Sequence, residues 1–421
     1  MKKTTIDWFR NIGKDILSVI KWAVIGIAVG FIVGAIGTLF SFCLSKVTAL
    51  RGEYNWLVYL LPIGGLVIVG MYKLLKMEND RGTNIVLESV DKDAQVPAKM
   101  APLIFAATTI THLFGGSAGR EGAALQLGGS LGNLLGKLLH LDKKDIKVII
   151  MSGMSAAFAA LFGTPMAAAV FAIESATVGV MYYAALLPCT ISAFIAGNFA
   201  KYMGMEGEHF TISGMPEFGA VPALKIALLA ALCGIISILF CLAMEYTKKY
   251  LCKGLKNPFL RIAVAALVFI GITKLIGGTD FYGTGMGVIE KAVNEGDAMW
   301  FHFILKIILT ALILGAGFKG GEIVPTFFVG ATFGCVFGKL IGISPSLAAA
   351  VGMGAMFCGV TNCPLSAILI CFELFGFESM PFIAIAIAIS YVTSGHIGIY
   401  SAQNIVFSKF KNESRKDIKN E

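Results

Sequence analysis

Two glutamates stand in glycine-flanked settings where a carboxylate can do chemistry. Glu121 lies in the run Gly116-Ser-Ala-Gly-Arg-Glu-Gly122, directly before Ala123–Leu139, a segment that reads as a helix. Glycines at a helix start leave backbone N–H groups open, and the helix dipole favours negative charge there. An ionised Glu121 can occupy such a site itself, and a protonated one can leave it to an anion. One side chain would then gate a pathway and carry a proton. Glu322 has a matching place in Gly320-Gly-Glu-Ile-Val-Pro325, with Pro325 suited to a first helical turn.

The chain around these carboxylates is built for lipid. Of its 421 residues, 57% are hydrophobic and 14% charged, with a mean hydropathy of +0.79. A soluble domain carries charge on about a quarter of its residues. Ionisable groups at membrane depth are costly, which makes Glu121 and Glu322 functional candidates by default. The net charge of +8 fits basic loops facing anionic lipid and calls for no nucleic-acid partner. Nine cysteines, mostly in apolar runs and without a CxxC, give neither a disulfide framework nor a zinc site. Trp22–Leu44 is too long for a signal-peptide core and reads as a first span.

Apolar stretches of membrane length recur along the chain. Several are short and broken by Gly or Pro, as where transporter backbone lines a site at the midplane. Pro165–Phe199 and Leu365–Val392 are long enough for two segments each. Lys2, Lys3, Arg10 and Lys14 at one end, and Lys409, Lys411, Arg415, Lys416 and Lys419 at the other, put both termini in the cytoplasm by the positive-inside rule. We expect a cytoplasmic segment over 1–15, a membrane domain over 16–405 and a cytoplasmic tail over 406–421.

The membrane domain contains itself twice, with halves of about 16–215 and 216–405. Gly153-Met-Ser-Ala-Ala-Phe recurs as Gly352-Met-Gly-Ala-Met-Phe, and the same offset relates Pro165 to Pro364 and Glu174 to Glu373. Upstream, Gly119, Gly128, Gly132, Gly136 and Lys137 are matched by Gly321, Gly330, Gly334, Gly338 and Lys339. Duplicated halves predict a site at their interface. Glu174 and Glu373 read as structural groups capping helices across that joint.

These residues carry a resemblance. GREGA at 119–123 resembles the GREGP motif of the CLC family of chloride channels and chloride/proton antiporters. GEIVP at 321–325 is similar to its GxFxP motif, and Gly398-Ile-Tyr-Ser401 to the segment bearing its pore tyrosine. FAIES at 171–175 and CFELF at 371–375 keep the family's order. The resemblance implies an all-α polytopic membrane protein, an inverted repeat with broken helices. It further implies a homodimer with one pathway per subunit and Glu121 as the gating glutamate. The anion would meet Tyr400, the backbone near Ile323 and Val324, the segment Gly119, Arg120 and Gly122, and Thr83 with Asn84. No cofactor or metal is implied.

The departures point to one branch. Thr83 replaces the serine of the family's GSGIP motif, and Ser175 stands where chloride/proton exchangers carry an internal proton glutamate. Glu322 stands where those exchangers lack a carboxylate. Together they resemble the fluoride-selective branch, which exports fluoride in exchange for protons and carries GGE here, although Thr83 and Val324 differ from its usual Met and Thr. Fluoride and protons are therefore the expected cargo, with a chloride channel or chloride/proton antiporter as the alternative. A protonated Glu121 or Glu322 would donate to fluoride, a strong hydrogen-bond acceptor.

One enzyme reading is open. Gly115-Gly-Ser-Ala-Gly119 matches GxSxG, with His112 nearby and His302 or His396 as further candidate bases for Ser117. The motif normally follows a strand, which the sequence does not provide. The five histidines show no metal-ligand spacing.

Overall fold

The computed structural model describes residues 2–92 and 94–410, the first eleven of them by their backbone alone. The described residues form sixteen α-helices. The first half holds α1 (Lys2–Glu53), α2 (Leu61–Leu74), α3 (Thr83–Lys92), α4 (Met100–Leu113), α5 (Glu121–Leu138), α6 (Lys143–Phe162), α7 (Pro165–Glu174) and α8 (Leu186–Tyr202). The second holds α9 (Ala220–Gly254), α10 (Pro258–Ile276), α11 (Met286–Glu290), α12 (His302–Ala316), α13 (Ile323–Ile341), α14 (Pro345–Thr361), α15 (Pro364–Phe375) and α16 (Met380–Thr393). Seven helical stretches among the described residues are long and apolar enough to cross a bilayer.

The two long apolar stretches divide as expected, Pro165–Phe199 into α7 and α8 and Leu365–Val392 into α15 and α16. Other helices outrun their apolar cores. α9 continues past Met244 through charged residues to Gly254, since nothing breaks it before Asn257-Pro258, where Asn257 caps α10 by accepting from Phe259 N–H at 3.0 Å. At 35 residues α9 is about 52 Å long, more than one bilayer core.

The repeat is a packing device as well as a sequence pattern. α5 lies on α6 and α13 on α14, and in each pair the backbones touch through glycine. A Cβ on Gly128 would overlap the Gly153 carbonyl, and one on Gly330 would overlap that of Gly352. The shared glycines thus mark two equivalent helix crossings. Phe158 and Phe357, another repeat pair, are buried and both lie against Phe171, with ring centroids 5.4 and 5.7 Å away.

The joint between the halves is reciprocal. Glu174, ending α7, accepts from the N–H groups of Leu365 (3.1 Å) and Ser366 (2.8 Å) and from the Ser366 hydroxyl at the start of α15. Glu373, near the end of α15, accepts from Met166 and Ala167 at the start of α7, both at 2.9 Å. Each helix therefore caps the other's N-terminus, which requires that the two run in opposite directions, as an inverted repeat does. Both glutamates satisfy orphan amides, the capping role expected of them.

After α16 the chain folds back. A two-residue strand β2 (Asn404–Ile405) pairs in parallel with β1 (Thr177–Val178), and Val406 N–H continues the ladder to Val178 O at 3.2 Å. Residues 406–410, expected to open the tail, pack on the helices. The basic residues from Lys411 to Lys419, and the side chains of Lys2, Lys3 and Arg10, lie outside the described residues.

Candidate functional site

The two glycine runs meet each other. Gly119 N–H donates to Gly321 O at 2.6 Å and Gly321 N–H to Gly119 O at 2.7 Å, an antiparallel bridge between the halves. A side chain has no room there, because a Cβ on Gly321 would lie 2.6 Å from Gly122 N and one on Gly119 would lie 2.9 Å from Pro325 Cδ. The bridge immediately precedes α5 and α13, so their N-termini open onto a single seam.

Glu121 fills that seam. It is wholly buried, and its Oε2 accepts from Arg120 N–H at 3.0 Å and Val324 N–H at 3.2 Å. A carboxylate thus takes the very amides that an anion would use. Its other oxygen, Oε1, has no hydrogen-bond partner among the described residues and lies 3.9 Å from Arg120 Nε. The Arg120 guanidinium is turned to Glu208, 2.9 Å from Nη2.

Glu322 sits one residue before α13 and faces open space. With Thr83, Asn84, Gln126, Lys319 and Tyr400 it lines a cavity of about 590 Å³. Arg81, Lys248, Lys249 and Lys319 also line it, against Asp80, Glu245 and Glu322. Two of these charges pair with acids, Arg81 with Glu88 and Lys319 with Asp80 (2.9 Å). The remaining lysines, Lys248 and Lys249, are matched in number by Glu245 and Glu322, so the vestibule wall carries charges of both signs. A Cβ on Gly122 would lie 3.1 Å from Glu322 Oε2, so this carboxylate reaches the backbone of α5. Glu322 borders both vestibule and seam.

The other expected residues fall around this point. Thr83 opens α3; its hydroxyl donates to Gly122 O and accepts from Gln126 Nε2, both at 3.3 Å. The Tyr400 hydroxyl is buried with no partner among the described residues, a donor available to an anion. Val324 gives its amide to Glu121, and Ile323 begins α13 beside it. Asn84 lines the same cavity, and its Oδ1 accepts from Ala402 N–H at 2.9 Å and Ser401 Oγ at 3.4 Å, which holds the Tyr400 segment to α3.

Several contributors were not legible as site residues. Gln126 reaches Thr83 from the second turn of α5, and a lone glutamine in a Gly/Ala run was its signal. Lys306 is fully buried in α12, donating at 2.8 Å to Gly283 O, which also receives Ala118 N–H at 3.2 Å. His112 bonds through Nε2 to Gly119 O at 3.1 Å, and Arg51 holds the His112 carbonyl at 3.1 Å. These side chains brace the loop that carries Glu121. The hydrolase reading loses its base here, because Ser117 Oγ pairs with the Thr310 hydroxyl at 3.0 Å and His112 is turned to the backbone.

An all-helical inverted repeat with two helix N-termini facing one buried glutamate defines a membrane anion transporter. The sequence comparisons are specific: the voltage gated chloride channel profile matches residues 64–395, and the chain belongs to that family, the CLC proteins. It is 34% identical over 397 residues to a chloride/fluoride channel protein of Pseudomonas syringae pv. tomato, covering 92% of this chain and 87% of that one. It is 24% identical to an H(+)/Cl(-) exchange transporter of Vibrio cholerae, covering 89% of this chain and 85% of the other. Among solved structures it resembles a CLC-type fluoride/proton antiporter, with TM-score 0.88, 31% identity and coverage of 91% and 98%. A slow cyanobacterial Cl-/H+ antiporter shares the fold, with TM-score 0.76 at 19% identity over 90% and 96% of the two chains.

Proposed function

We propose that this protein exports fluoride across the cell membrane in exchange for protons, with Glu121 as the group that moves. The observation that carries the reading is Glu121 Oε2 resting on the Arg120 and Val324 amides. An ionised Glu121 and an anion compete for the same donors. For the anion to enter, the carboxylate must swing out or take up a proton, and either event ties anion passage to Glu121.

Fluoride is favoured by what surrounds the seam. Tyr400 brings a hydroxyl without a partner among the described residues and Gln126 a carboxamide to the vestibule wall, and Glu322 adds a carboxyl that donates when protonated. A small, strongly hydrated anion loses its water shell only where such donors replace it. The Pseudomonas relative and the solved antiporter carry fluoride in their names, which supports the same choice. The working unit is taken to be a homodimer with a pathway in each subunit and both termini in the cytoplasm, in keeping with the basic end of α9.

The test is fluoride efflux from proteoliposomes holding the purified protein, with internal pH followed at the same time. Matched fluoride efflux and proton uptake, with chloride poorly carried, is the expected result. Efflux of both halides without proton movement would replace this reading with a chloride-type channel.

A further inference from the structure

A second cavity, of about 520 Å³, opens where the last turn of α2, the first turn of α10 and the end of α12 come together. Tyr72, Lys73, Lys256, Phe259, Arg261 and Lys319 line it, and Glu78 is the acidic residue among its walls. Lys319 belongs to this cavity and to the anion vestibule alike.

The charges here are placed and largely unanswered. Arg261 is half-buried and pinned by backbone carbonyls, Nε to Ala316 O at 3.0 Å and Nη1 to Leu255 O at 3.4 Å. Lys73 lies over the Phe259 ring, 5.8 Å from its centroid. Neither these two nor Lys256 forms an ion pair among the described residues. Tyr72 gives an independent sign of a missing ligand. It is only 6% exposed, Lys319 covers its ring at 4.2 Å, and its hydroxyl has no hydrogen-bond partner among the described residues.

The approach to this cavity is apolar. Ile63, Val67 and Leu74 on α2, and Leu260, Leu267 and Val268 on α10, are exposed along the two helices that lead to it. A ligand suited to both parts has a compact anionic head and hydrocarbon chains.

We propose that this cavity binds the phosphate headgroup of an anionic membrane lipid. Its phosphate lies among Arg261, Lys256 and Lys73, takes a hydrogen bond from the Tyr72 hydroxyl, and its acyl chains lie along α2 and α10. Basic pockets between helices at the membrane boundary recognise such heads. A zwitterionic lipid brings its own cation into a cluster of cations and is disfavoured. Through Lys319 the head adjoins the Asp80 ion pair and the loop that carries Glu322, so its occupancy also bears on the vestibule.

Native mass spectrometry of the purified full-length protein, titrated with phosphatidylglycerol and separately with phosphatidylcholine, tests the site. Saturable retention of phosphatidylglycerol over phosphatidylcholine is expected. Lys73→Gln/Lys256→Gln changes two exposed side chains that make no structural hydrogen bond, so the fold is retained. It should weaken phosphatidylglycerol binding about 30-fold, Tyr72→Phe should weaken it by a smaller factor, and Lys201→Gln on α8 should leave it unchanged. Equal retention of the two lipids, or an unaltered double variant, overturns the proposal. Displacement of the lipid by millimolar inorganic phosphate also overturns it, by assigning the cavity to a soluble anion.

Discussion

The N-termini of α5 and α13 are built on one frame and used differently. Both follow a glycine of the Gly119–Gly321 bridge, both begin beside the same seam, and both run on through glycines that let a neighbouring helix approach. In the register of that bridge, Glu322 corresponds to Arg120, one position before Glu121. That single step sends one carboxylate into the seam, wholly buried on two amides, and the other to the wall of the 590 Å³ vestibule. Duplication gives the frame, and a one-residue displacement of an acid gives the two ends different chemistry. On the proposed reading, the group enclosed in the seam gates, whereas the one on the vestibule wall selects and relays.

The sharpest way to break this division is to neutralise each acid in turn. Glu121→Gln should lower proton-coupled fluoride flux by about a hundredfold, the scale for losing a proton-transfer group, because the carboxamide stays on the amides and carries no proton. Glu322→Gln should lower flux by about tenfold and narrow the preference for fluoride over chloride. Efflux with simultaneous pH recording checks both. If Glu322→Gln abolished coupling while Glu121→Gln kept it, the two roles would have to be exchanged.

The frame can be tested apart from the acids. Gly128→Ala and Gly330→Ala each drive a methyl into a backbone carbonyl of the neighbouring helix, where no side chain can give way. Each should cost about 3 kcal/mol or more and sharply reduce the yield of monodisperse protein. Gly271→Ala in α10 is the control, since nothing lies within 4 Å of its Cβ position, and it should be neutral or slightly stabilising. Equal losses in the two halves would support equivalent crossings.

These positions also explain what the sequence could reveal. Glycines, prolines and paired glutamates were legible because each has little freedom: a helix crossing without room for a Cβ, a first turn, a cap across a joint. Glu121 was legible because a carboxylate in an apolar run needs a reason. Lys306 and Arg51 were not, because what matters about them is the carbonyl each holds, Gly283 and His112, which the fold brings from elsewhere in the chain; His112 was noticed only as a base for Ser117, whereas it bonds the Gly119 carbonyl. Asn84 illustrates the limit from the other side. Its position beside Thr83 pointed to the cavity wall, which it lines, but only the folded chain brings Ala402 to its oxygen. The long helices were underestimated for a simpler reason, since apolar runs mark lipid contact and a helix continues beyond it until a breaker intervenes.

The reciprocal caps allow a finer test of symmetry. Glu174→Gln removes the charge from a group that holds two amides and a hydroxyl, and Glu373→Gln from one that holds two amides. Losses of about 1 kcal/mol are expected for each, with Glu174 the larger because of Ser366. Thermal unfolding in detergent would rank them. A larger loss for Glu373 would mean that the joint is held mainly from the α15 side.

The smallest effect concerns the segment that carries Tyr400. Lys409 closes this segment over the helices by donating to Asn362 Oδ1 (2.6 Å), Tyr391 O (2.9 Å) and Ser394 Oγ (3.2 Å). Burial lowers its pKa from 10.5 to about 8. Below about 8 the ammonium is charged whether the segment is docked or free, and docking bears the full cost of burying that charge. Between about 8 and 10.5 the free segment binds more protons than the docked one, so docking strengthens as pH rises through this window. Hydrogen exchange of residues 396–410, corrected for intrinsic base catalysis, should therefore show rising protection over that range, and Lys409→Met should remove the trend. Protection that instead falls on alkalinisation would mean that the charged donor, through its three hydrogen bonds, contributes more to holding Tyr400 than its burial costs.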